Sequence, residues 1–104
     1  MHAVALHISP EHPAFAGHFP GQPLLPGVSL LAEVIEAILA DAELAACIGT
    51  APIISSAKFL APVRPGAELV VQLLRSERAL KFEVREGARM AASGQFDVNT
   101  GATS

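Results

Sequence analysis

The chain has 104 residues, seven basic and ten acidic side chains for a net charge of −3, and a composition that is 51% hydrophobic and 16% charged. That length corresponds to one small domain, and a domain of this size often dimerises to hide more apolar surface; the greasy balance, without Trp or Tyr, points the same way. All seven basic residues follow residue 57, so the first 57 residues carry −5 and the rest +2, and with no aromatic platform beside them they argue against nucleic-acid binding.

No apolar run approaches the ~20 residues of a membrane span, and the N-terminal MHAVALHISPEH lacks the charged and apolar regions of a signal peptide. A cytoplasmic protein without membrane association is expected. The lone cysteine, Cys47, rules out an internal disulfide and reads as a small buried hydrophobe.

In chain order, Val4, Leu6 and Ile8 alternate with other residues over 2–8, a half-buried strand ended by Ser9-Pro10. After a loop, Leu30, Leu31, Val34, Ile35, Ile38, Leu39 and Ala42 recur at helical spacing, which predicts one helix from Ser29 to about Ala46. Gly49 and Pro52 break it, and the period then changes. Strands are expected over 53–63, 68–76, 79–85 and 89–98, with turns at Pro65-Gly66 and Glu86-Gly87. Lys81, Glu83 and Arg85 form the wet face of the third of these. Short turns favour an antiparallel meander, and the whole an α+β domain in which a curved sheet wraps a central helix. Residues 1–98 form this single domain and NTGATS, 99–104, a fraying tail.

The segment GHFPGQPLLPGVSLLAEV, residues 17–34, is the most specific part of the sequence. Pro20, Pro23 and Pro26 fix φ, while Gly21 and Gly27 permit geometry or close approach that a Cβ would block. The product is a stiff cradle before a helix. If that helix begins near Val28, the Gly27 N–H lies at its positive end and can stabilise a polarised carbonyl. Imidazole titrates near neutral pH, so His18 is the natural general base. His2, His7 and His12 have no such context and read as surface or strand residues.

The run His18-Phe19-Pro20-Gly21, Pro23 and Pro26-Gly27-Val28 closely resembles the signature of the hot-dog-fold 3-hydroxyacyl-[acyl-carrier-protein] dehydratases, the FabA/FabZ-like group, and HPAFAGHFPG resembles its short-form members. KFLAPVRPGAEL, 58–69, is similar to the strand-turn-strand that follows their helix, so the likeness covers most of the chain. The resemblance implies a dimeric hot-dog fold that removes water from a 3-hydroxyacyl thioester, carried on the phosphopantetheine of acyl carrier protein or on CoA, in fatty-acid or polyene synthesis. It gives His18 the role of base, has the Val28 backbone carbonyl orient it, and places Gly27, Val28, Phe19, Pro26 and Leu30 around the substrate. The acyl tunnel would draw on Phe19, Leu24, Leu25, Leu30, Leu31, Val34 and Phe59. No cofactor or metal is expected, since the four histidines and one cysteine show no ligand spacing.

One position departs from the pattern. The group carries an acid fourteen residues after the histidine, which protonates the departing hydroxyl, and here that residue is Ala32. Glu33 is adjacent but rotated by ~100° on a helix, whereas Glu36 lies one turn on and faces nearly the same way. Three readings stay open: Glu33 or Glu36 serves as the acid; the chain pairs as a heterodimer with an acid-bearing relative; or the protein binds acyl thioesters without this chemistry. A hot-dog thioesterase ranks below dehydration because the Pro/Gly signature is not a thioesterase feature.

Overall fold

A computed structural model describes residues 2–15, 24–49 and 52–98. Five strands, β1 (His2–His7), β2 (Ile54–Phe59), β3 (Glu68–Arg75), β4 (Ala79–Glu86) and β5 (Arg89–Asp97), form one antiparallel sheet in the order β1-β3-β4-β5-β2. Helix α1 spans Gly27–Leu39 and α2 spans Ala42–Ile48. This is the α+β arrangement expected.

The period-2 strands follow from their alternation. Leu69, Val71 and Leu73 of β3 and Leu80, Phe82 and Val84 of β4 are buried in the core, and Lys81, Glu83 and Arg85 take the opposite face, as the pattern predicts. Leu30, Val34 and Ile38 recur every four residues on α1 and join the same core, so the helix lays one stripe on the face of the sheet that carries Leu69, Val71 and Leu73. Gly66 and Gly87 have φ of 83° and 61°, the left-handed geometry that the turns before β3 and after β4 require.

Two expectations need correction. The single helix over 29–46 is two helices. Asp41 adopts an extended conformation and its Oδ1 accepts hydrogen bonds from the Glu43 and Leu44 N–H groups, which caps α2 and ends α1 before it. His2 Nε2 lies 3.1 Å from the other oxygen, Oδ2, and ties this junction to β1. The meander is also shorter than expected, since only β3, β4 and β5 are sequential neighbours while β2 crosses over to pair with β5. Gly94 allows that pairing: a Cβ there would collide with the Ser56 carbonyl of β2 and lie 2.8 Å from the Phe82 ring.

The two ends of the sheet differ. All six residues of β2 are exposed, with exposed apolar pairs at its two ends, Ile53 and Ile54 at one and Phe59 and Leu60 at the other. Among the described residues, no helix is long and apolar enough to cross a membrane.

Candidate active site

Pro26 is the N-cap of α1, with no side chain capping the helix. Its carbonyl accepts from the Ser29 and Leu30 N–H groups, both at 3.0 Å. The first two amides of the helix, Gly27 and Val28, have no intrahelical partner by construction, so their N–H groups are available at the positive end of the helix dipole. The helix thus starts at Gly27, one residue before the position expected.

A cleft of about 290 Å³ opens at this helix end, lined by Leu24, Leu25, Gly27, Leu30 and the segment Phe59–Val63. Its walls are held by backbone bonds. Leu25 N–H donates to the Val63 carbonyl at 2.8 Å, joining the approach to α1 to the far wall. The β4–β5 register slips between Val84 and Arg85, a bulge that leaves Ala91 between the paired Met90 and Ala92. The Ala91 carbonyl then accepts from Leu60 and Ala61 at 2.8 and 3.2 Å. Arg89, beside Glu86, donates to the Pro62 carbonyl at 3.2 Å. The Phe59 ring lies so close to Gly27 that a Cβ on that residue would be 2.8 Å from Cε2 and Cζ, so any larger residue there has to displace the ring.

The expected site residues separate into distinct groups. His18 and Phe19 lie outside the described residues. Gly27, Leu24, Leu25, Leu30 and Phe59 meet at the cleft, with Pro26 beside them as the helix cap. Val34, expected as a tunnel residue, is instead fully buried in the core, and Leu31 packs against that core from its margin. Val28 is 75% exposed, and Ala32 and Glu36 follow it along the outer stripe of α1.

Glu33 occupies a different environment. Its Oε2 is 3.0 Å from His12 Nε2, and both side chains are about four-fifths buried, at 22% and 19% exposure. The Ala14 N–H donates to His12 Nδ1 at 3.0 Å, so that nitrogen is the acceptor and Nε2–H donates to Glu33. His12 is thus a largely buried link between a 3₁₀ turn at Pro13–Phe15 and α1, not the surface or strand residue its sequence context implied. No signal at a separation of 21 residues announces that contact. The Glu36 side chain makes no hydrogen bond or ion pair among the described residues.

Comparison with known proteins gives this site its context. A family model described as ApeI dehydratase matches residues 1–95. The chain belongs to the ApeI-like dehydratase family. The 3-hydroxyacyl-[acyl-carrier-protein] dehydratase FabZ of Haemophilus influenzae is 38% identical over 85 residues, covering 71% of this chain and 55% of that protein. FabZ of Aliarcobacter butzleri is 36% identical over 104 residues, covering 86% and 71%. The chain therefore spans about half the length of the Haemophilus relatives it matches. The dehydratase heterocomplex ApeI:P from Xenorhabdus doucetiae contains a chain that superimposes with a TM-score of 0.71 at 30% identity, over 92% of this chain and 84% of that one. The fluoroacetyl-CoA-specific thioesterase FlK, at 17% identity and a TM-score of 0.58, shares the fold alone. These likenesses identify the ApeI-like chain as a hot-dog α+β domain, as the signature implied.

Proposed function

We propose that this protein is a 3-hydroxyacyl thioester dehydratase. The observation that carries the reading is the uncapped start of α1 at Gly27, opening into an apolar cleft directly after the Pro/Gly motif that contains His18. A thioester carbonyl accepting from the Gly27 N–H would have its developing negative charge stabilised by a fixed donor and the helix dipole, a type of term worth a large part of such barriers. His18 would remove the proton from C2. The electron pair of that C–H bond becomes the C2–C3 double bond as the C3–O bond breaks, and a carboxyl group gives its proton to the departing oxygen, which leaves as water.

Glu36 is the carboxyl assigned to that last step. Glu33 is already bonded to His12, whereas Glu36 is exposed on the stripe of Ala32, one turn on. That stripe and the bare edge β2 would face a second copy of the chain, which hides Ile53, Ile54 and Leu60 and places α1 of one subunit near the cleft of the other. Ala32 itself favours a second arrangement. With a methyl group where the family carries its acid, a heterodimer with an acid-bearing relative would complete one site, and the ApeI:P neighbour is a heterocomplex. The substrate is a thioester of acyl carrier protein or CoA; exposed Lys58 and Arg64 bracket the cleft wall in sequence and suit its phosphate-bearing arm.

Purified protein incubated with 3-hydroxybutyryl thioester should form the conjugated enoyl product without releasing thiol, and His18→Ala should abolish it. Glu36→Gln should lower kcat about 10²–10⁴-fold, while Glu33→Gln retains most of it. Loss confined to Glu33→Gln overturns the assignment of Glu36. Activity that appears only on mixing with an acid-bearing relative establishes the heterodimer, and thiol release without enoyl product overturns dehydration in favour of hydrolysis.

A further inference from the structure

Phe59 stands in the wall of the cleft beside Gly27, and the inference drawn from it rests on the dehydratase reading given above. Phe59 ends β2, is 51% exposed, and presents its ring edge to Gly27. The ring is close enough that a single added carbon on Gly27 would be 2.8 Å from two ring atoms. The neighbouring lip, Leu60 and Ala61, is pinned through the Ala91 carbonyl, so the chain on one side of Phe59 has little freedom to carry it away.

Gly27 and Phe59 line the same cleft, so a thioester carbonyl accepting from the Gly27 N–H would have that ring as a neighbour. Its carbon has two flanks, sulfur and C2, and only C2 can carry a branch. We propose that Phe59 is a specificity-determining residue that limits the space beside the thioester carbonyl and restricts the site to 3-hydroxyacyl thioesters unbranched at C2. A methyl group on C2 must displace the ring from its contact with the first helical turn, or pull the carbonyl off the Gly27 donor. The first outcome loses packing and the second loses the stabilisation on which elimination depends. One methyl group misplaced in a shaped apolar site is worth roughly 10–200-fold in discrimination.

The test compares 3-hydroxybutyryl and 2-methyl-3-hydroxybutyryl pantetheine as substrates of the wild-type protein, Phe59→Ala and Phe59→Leu, with circular dichroism to verify that each variant is folded. Wild type should favour the unbranched substrate in kcat/KM by about tenfold or more; Phe59→Ala should bring the ratio near one whatever its own rate with the unbranched compound, and Phe59→Leu should fall between. Equal use of both substrates by wild type, or an unchanged ratio in Phe59→Ala, overturns the role of Phe59. Binding of butyryl and 2-methylbutyryl pantetheine, which have no hydroxyl to lose, is measured by calorimetry in parallel. Absence of turnover with both hydroxy substrates overturns dehydration, whereas equal binding of the branched and unbranched analogues overturns the inference about Phe59, so the two failures are distinguishable.

Discussion

His12 Nε2 and Glu33 Oε2 are 3.0 Å apart and join the N-terminal turn to helix α1 across 21 residues of sequence. Because His12 Nδ1 is already accepting from the Ala14 N–H, both ring nitrogens are engaged. Glu33 is held through Oε2 alone, so its engagement with His12 fixes the orientation of the carboxylate. The link is therefore structural, and a double-mutant cycle should read it as such. His12→Ala and Glu33→Ala should each destabilise the fold by about 1–2 kcal/mol, with a coupling energy of about 1 kcal/mol between them, discounted for partial exposure. Urea unfolding of the four proteins measures it. A coupling energy near zero would mean that the two side chains do not act as a pair.

Gly27 and Phe59 give a prediction that separates stability from activity. The first helical position tolerates alanine, and the ring that a new Cβ meets is half-exposed, so it can swing outward. Gly27→Ala should change stability by less than about 1 kcal/mol and yet lower kcat/KM about tenfold or more, since the displaced ring and the Cβ narrow the space before the donor. Combining it with Phe59→Ala should recover part of the activity. A single variant with undiminished kcat/KM would remove Gly27 from the carbonyl site.

Gly94 and Gly87 should respond oppositely to alanine. At Gly94 the new Cβ meets the Ser56 carbonyl of the facing strand, a backbone atom that cannot rotate aside, and the Phe82 ring. Gly94→Ala should cost about 3 kcal/mol and loosen β2 from β5. At Gly87 there is open space and only the left-handed φ of 61° opposes the change, so Gly87→Ala should cost about 1 kcal/mol. Thermal unfolding ranks the two, and equal costs would contradict the close approach of β2 to β5.

How far the sequence disclosed this arrangement depends on the range of the interaction involved. Leu80, Phe82 and Val84 alternate against Lys81, Glu83 and Arg85, and a period of two is local, so β4 and its neighbours were legible. The turn glycines at 66 and 87 were legible for the same reason. The start of α1 was legible only to within two residues, expected at Ser29 or near Val28 and found at Gly27. Its end was not, because apolar spacing runs on through Leu44 and Cys47 while Asp41, a strong capping residue, turns the chain between them. The pairing of β2 with β5 instead of β3 depends on contacts some forty residues apart, and Gly94 is its only local trace. The contact of Phe59 with Gly27 and the bond between His12 and Glu33 are likewise tertiary, so the sequence named the cleft residues Gly27, Leu30 and Phe59 without showing that Glu33 is already engaged.

The edge strand carries the last prediction. β2 is the terminal strand of the sheet, its six residues are exposed, and the backbone groups on the side away from β5 have no strand beside them among the described residues. A bare edge of this kind invites pairing with another chain. Ile53, Ile54 and Leu60 supply the apolar surface that a second copy would cover, and Ser55, skipped in the register between Ile54 and Ser56, adds a bulge that twists the strand. In sedimentation equilibrium the wild-type protein should have twice the chain mass. Ile54→Lys puts a charge into the middle of that contact, where desolvating an ammonium group without a partner is strongly unfavourable, and it should shift the protein toward monomer while leaving the circular dichroism spectrum of the fold in place. A monomeric wild-type protein, or a variant that dimerises as tightly as wild type, would take β2 out of the interface and with it the completion of the active site across two subunits.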